Sequence, residues 1–135
     1  MKTMFLALML LPLAACVQST AGEPRLSARE TRDLARALDG KVAGEPVNCV
    51  TSMRSNDLRA LGDNTLIYRI NKDLVYRNTL EGACSGLSMG DTLVMRRVTS
   101  QYCRGDLATV VNLPSGMQTG SCALGAFVPY RTPGK

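Results

Sequence analysis

Histidine is absent from this chain of 135 residues, and so is tryptophan. Without histidine there is no side chain whose ordinary pKa lies near neutrality, which removes the usual general base and the commonest metal ligand. Lysine is nearly as scarce. Beyond Lys2 there are only Lys41, Lys72 and Lys135, each among polar neighbours, so a Ser–Lys pair has no buried lysine to draw on. Gly86-Leu87-Ser88-Met89-Gly90 spells G-x-S-x-G, but a nucleophile elbow needs a histidine base and a strand–turn–helix setting, and here the match falls in a glycine-rich loop. Chemistry by carboxylates alone is the remaining enzymatic route, through Asp63, Glu81, Asp91 and Asp106 near loops. An aspartate before a strand ordinarily caps a turn, so the expectation is a protein that is not an enzyme and needs no cofactor.

Aromatic residues are few, four tyrosines and two phenylalanines, and no lysine or arginine run exceeds two residues. That composition offers no stacking platform for nucleic acid. Long apolar runs are lacking as well. The longest, Met4 to Leu13, is about half of what a helix needs to cross a bilayer.

That short run is nonetheless the most informative stretch. Lys2 and the amino terminus supply positive charge, Met4–Leu13 the apolar core, and Leu13-Ala14-Ala15-Cys16 reads as a bacterial lipobox. Residues 1–15 are then a signal peptide, Cys16 carries the lipid, palmitate included, and 16–26, with Gly22 and Pro24, form a flexible tether. A rival cut after Ala21, with Ser19 three residues back, would release a soluble periplasmic protein. Val17, rather than an aspartate after the lipidated cysteine, resembles the sorting pattern of outer-membrane lipoproteins. Residues 27–135 are long enough for one domain. Once Lys2 leaves with the signal, fifteen basic and eleven acidic residues remain, a net charge of +4. That charge favours anionic surfaces without identifying one.

The five cysteines are Cys16, Cys49, Cys84, Cys103 and Cys122. Lipidation accounts for the first and leaves four, which in an oxidising envelope read as two disulfides with three possible pairings. A four-thiolate zinc site ordinarily has ligands about two to four residues apart. Here the closest pair is nineteen positions apart, so no metal is expected. Closure of a barrel, bringing the first strand against the last, favours Cys49–Cys122 with Cys84–Cys103 nested inside it. Each bridge is worth about 3–4 kcal/mol on the loop-entropy model.

Ser27-Ala28-Arg29-Glu30 is a capping box, and Leu34 and Leu38 follow at helical spacing before Gly40, which predicts one amphipathic helix of about three turns. From Pro46 the pattern turns to short β segments: Val47–Val50, Asn64–Asn71, Leu74–Asn78, Thr92–Arg97, Thr99–Cys103, Leu107–Leu113, Met117–Ala123 and Phe127–Arg131. Asn71-Lys72-Asp73 is the turn of a hairpin, and Pro129 suits an edge. Gly62-Asp63, Gly90-Asp91 and Gly105-Asp106 each precede a strand. Arg104-Gly105-Asp106 also spells a cell-adhesion tripeptide, which three common residues at a turn produce by chance. Met53, Met89, Met95 and Met117 do not cluster, which gives no copper site and suggests core gap-fillers. The fold class is therefore mostly β with one N-terminal helix, a small antiparallel β-barrel or sandwich stapled by two disulfides.

Pro46-Val47-Asn48-Cys49, Asn78-x-Leu80, Cys84-Ser85-Gly86-Leu87, Cys103-Arg104-Gly105-Asp106 and Gly120-Ser121-Cys122-Ala123-Leu124-Gly125-Ala126-Phe127-Val128-Pro129-Tyr130 together resemble a family of small proteobacterial envelope proteins known only as a domain of unknown function. The resemblance covers roughly residues 45–131. It departs at Ser85, where the family usually has proline, which leaves that loop less rigid. It implies an exported, cysteine-stapled single domain and carries no activity. Leu124, Phe127 and Tyr130 are candidates for a binding ridge, against the plainer reading that they close one end of the barrel. The resulting expectation is a non-enzymatic envelope lipoprotein, held to the membrane by Cys16, facing the periplasm and binding an unidentified envelope component. The alternative is an inhibitor of a periplasmic hydrolase.

Overall fold

The computed structural model describes residues 26–51, 58–96 and 99–135. The segment read as a signal peptide, Cys16 and most of the stretch read as a tether lie outside those residues, as does Met53.

Helix α1 (Ala28–Leu38) starts as its sequence dictates. Ser27 Oγ accepts from Glu30 N at 3.3 Å, and Glu30 Oε2 accepts from Ser27 N at 2.7 Å. It stops at Asp39 and Gly40, whose φ of +66° suits glycine. No residue of α1 is fully buried; Leu34, Ala37 and Leu38 face inward with Leu26, and the arginines face out. The bond from Ser27 N holds the Glu30 carboxyl below the ordinary glutamate range, aided by the Ser27 hydroxyl and the backbone of Gly62. A lowered pKa contributes stability above the unfolded value, lost as pH falls through the folded one. Glu30→Ala should therefore cost about 0.5 kcal/mol at neutral pH, and chemical denaturation of both proteins in acid should show the difference gone. A difference that persists in acid would mean that the carboxylate charge is not what the cap uses.

Eleven short strands follow among the described residues: β1 (Val42–Ala43), β2 (Cys49–Thr51), β3 (Leu58–Leu61), β4 (Thr65–Arg69), β5 (Leu74–Thr79), β6 (Glu81–Ala83), β7 (Thr92–Met95), β8 (Gln101–Cys103), β9 (Leu107–Asn112), β10 (Met117–Ala123) and β11 (Phe127–Arg131). They form three antiparallel groups, β1-β11-β5-β4-β3, β6-β10-β9-β7 and the ribbon β2-β8. The expected hairpin is present. β4 pairs with β5, and Asn71 Oδ1 accepts from the backbone N–H of Asp73 at 2.8 Å and Leu74 at 2.9 Å. The period-2 alternation of β4 sends its two faces to different partners. Leu66 and Tyr68 enter the core shared with Ala108 and Val110 of the four-stranded sheet, while Ile67 packs with Leu61 and Val75 under α1. The layers therefore run helix, five-stranded sheet, four-stranded sheet.

The ribbon closes one end of the inter-sheet core. Val50 and Tyr102 are buried there, Tyr102 packs edge-to-face on Tyr68 at 5.9 Å, and Tyr68 Oη donates to Thr51 O at 3.1 Å. Tyr76 and Phe127 make a second edge-to-face pair at 6.4 Å.

Of the two expected architectures, barrel or sandwich, the structure is the sandwich: the sheets stack and do not close, so the first and last strands need not meet. Three sequence expectations are corrected. The disulfides are accordingly Cys49–Cys103 and Cys84–Cys122 rather than Cys49–Cys122 and Cys84–Cys103. Pairing of β2 with β8 sets Cys49 directly opposite Cys103, and pairing of β6 with β10 carries Cys84, the residue after β6, to Cys122. Pro129 lies inside the five-stranded sheet, not on an edge. Its carbonyl accepts from Gly44 N at 2.7 Å, so its missing N–H points toward the same side, where only the two-residue β1 and a bridge at Val47 pair with β11. Finally, Met89 and Met117 are exposed rather than core fillers, and of the described methionines only Met95 packs against the core.

Candidate functional site

A concavity opens between the two sheets on the side where β3 and β7 are both edge strands. It is a groove of about 510 Å³ lined mainly by apolar side chains, among them Leu58, Ala60, Leu87, Leu93, Met95 and Tyr102. β3 and β7 are four residues each, too short for their alternation to have marked these residues in the sequence. Asp91 stands on the lining, but its carboxylate is already engaged: Oδ1 accepts from Asn112 Nδ2 and Oδ2 from Thr119 Oγ1, both at 2.8 Å. Such a groove can take up an apolar group. Among the described residues it presents no nucleophile beside a base.

The other aspartates of the Gly-Asp turns hold the scaffold in the same way. Asp63 accepts from Ser88 N at 2.8 Å and from Ser88 Oγ at 3.1 Å, tying the β3–β4 turn to the 3-10 turn Leu87–Met89. Ser88 thus sits in a 3-10 turn flanked by left-handed Gly86 and Gly90, which is not the setting of a nucleophile elbow. Asp106 Oδ2 accepts from Cys103 N at 2.8 Å, while Arg104 N and Gly105 N donate to Asn48 O and Leu124 O, so the adhesion-like tripeptide is a backbone-bonded turn. Glu81 pairs with Arg104 at 3.3 Å. The four carboxylates are therefore each held by partners of their own, Asp91 by two residues and the other three by one each. No group of three or more acidic or cysteine side chains able to hold a metal occurs among the described residues.

The candidate ridge is taken apart by the packing. Leu124 and Phe127 are each 1% exposed, inside the inter-sheet core, and so cannot present themselves to a ligand. Tyr130 is half-buried and paired with Val75, on the opposite face of the sheet from Phe127's core contacts. What holds this turn is Asn78, 1% exposed, which the sequence marks only as part of Asn78-x-Leu80. Its Nδ2 donates to Gly125 O at 2.7 Å and Ala126 O at 3.4 Å, and its Oδ1 accepts from Gly125 N at 3.1 Å. The four cysteines read as disulfide-forming are all bridged. Cys84 is fully buried and Cys122 nearly so, whereas Cys49 is exposed.

These features define a class: a mostly β, two-disulfide sandwich carrying one helix among the described residues, with an apolar groove and its candidate carboxylates Asp63, Glu81, Asp91 and Asp106 each engaged by the scaffold. The chain belongs to the family described as "Family of unknown function (DUF6491)", whose model matches residues 1–129. No curated protein and no solved structure matches it. No helix among the described residues is long and apolar enough to cross a membrane.

Proposed function

We propose that this protein is a lipid-anchored component of the bacterial cell envelope whose β domain serves as a non-enzymatic binding or structural module facing the periplasm, on the outer membrane. The observation that carries the reading is the cysteine balance. Four of the five cysteines are taken up in two disulfides, which leaves Cys16, the residue at the end of the lipobox, for a different fate. The engaged carboxylates and the lack of histidine support a role in binding over catalysis. Intact-mass analysis tests the anchor: wild type should carry a diacylglyceryl thioether on Cys16, and Cys16→Ser should lose the lipid mass and leave the membrane fraction. Recovery of soluble wild type beginning at Gly22 would overturn the anchor. In vivo crosslinking from the groove, at Leu93, tests the role: an envelope component should be captured, and a single hydrolase recovered in one-to-one ratio would instead establish an inhibitor.

A further inference from the structure

Helix α1 covers the outer face of the five-stranded sheet, but no described residue covers the outer face of the four-stranded one. The residues that β7, β9 and β10 present there are uncharged. Val94 is 39% and Leu107 72% exposed, among threonine, serine and alanine side chains. On a chain of net positive charge this is an unusual stretch of surface, and it suits a partner that must not meet like charge.

The pattern of one row across the sheet says which partner. Strand register sets Glu81, Ala123 and Leu107 side by side, and Arg96, the residue after β7, continues the row beside Leu107. In sheet order the row reads acid, small, large, base. Rotation by 180° about an axis parallel to the strands reverses that order. It sets Glu81 over Arg96, Ala123 over Leu107, and the same two pairs again on the other side. In the next row it sets Thr109 over Ser121. The row is therefore complementary to itself in charge and in volume, which is the requirement of an isologous interface.

We propose that this face is a docking surface for a second copy of the chain, forming a two-fold dimer in which Leu107 packs on Ala123 and Arg96 joins the Glu81–Arg104 pair of the other copy. With strands about 4.8 Å apart and a rise of about 3.3 Å per residue, four strands offer roughly 350 Å² of plan area per copy. That is below the size of a stable interface, so the dimer is a weak one that forms at high local concentration. It does not depend on the anchor on Cys16.

Sedimentation equilibrium of full-length Cys16→Ser protein, free of lipid, tests it over a concentration series reaching about 1 mM. The expected result is reversible dimerisation in the upper part of that series. Leu107→Asp, at an exposed position, should leave the circular dichroism spectrum unchanged and abolish the dimer. Arg96→Glu should weaken it by at least about tenfold, and adding Glu81→Arg to Arg96→Glu should restore it. A monomer throughout the series, or a Leu107→Asp protein that dimerises as the wild type does, overturns the interface. Failure of the charge-swapped protein to regain the dimer overturns the two-fold arrangement.

Discussion

Asn78→Ala is expected to lower the free energy of unfolding by about 3–4 kcal/mol, a large share of what a domain of this size has. The side chain makes three bonds to the turn between β10 and β11, and alanine would leave Gly125 N and Gly125 O buried without partners. Each such orphan costs about 1–3 kcal/mol. Asparagine is required rather than aspartate, because the turn offers two carbonyls that need a donor and one N–H that needs an acceptor. Gly125 is the matching half of the clamp. A Cβ there would run into the carbonyl oxygen of Thr79, a backbone atom that cannot swing aside, so Gly125→Ala should cost about 2–3 kcal/mol. Urea denaturation measures both effects, with the exposed Thr79→Ala as a control expected within about 0.5 kcal/mol of wild type. A shift at Asn78 no larger than the control's would show that water replaces the clamp.

The second large effect is expected at the buried disulfide. Replacing Cys84 and Cys122 together by alanine should cost about 4 kcal/mol from chain entropy, plus the packing lost at a site where Cys84 is 0% exposed. The other bridge spans 54 residues against 38, a difference worth only about 0.3 kcal/mol in loop closure. Burial therefore decides the ranking. Removing Cys49–Cys103, at the surface end of a two-stranded ribbon, should cost less, and mild reductant on the folded protein should open it first because Cys49 is accessible. Mass spectrometry after brief alkylation reads the order. Labelling of Cys84 and Cys122 ahead of Cys49 and Cys103 would contradict the burial argument.

The fold class was legible because the signals behind it are local. A capping box, an Asx turn at Asn71 and period-2 alternation each act within a few residues, and α1, the β4–β5 hairpin, β10 and β11 all appear where those signals stand. β1, β3 and β6 are two to four residues long, too short for a period to declare itself. The disulfide pairing failed for a non-local reason. It assumed that one sheet must bring its ends together, whereas the chain splits its strands between two sheets and a ribbon, and sheet membership of Cys49 cannot be read from its neighbours. The groove was invisible for the same cause, since Leu58 and Leu93 meet only when two edges stack. Asn78 left a trace, an amide inside a strand, but its partner sits 47 positions away.

The bridges interleave along the chain, Cys49 to Cys103 across Cys84 to Cys122, and this bears on survival among proteases. Cut the backbone twice, once between Cys49 and Cys84 and once between Cys103 and Cys122. A nested pairing would let the middle piece go. With the interleaved pairing the first piece is tied to the middle and the middle to the last, so all three stay on one covalent body. The same holds for any two cuts placed in different intervals between Cys49 and Cys122. Nicking then becomes damage the molecule can carry without shedding a fragment, and a gel run without reductant would show one band where a reduced lane shows three.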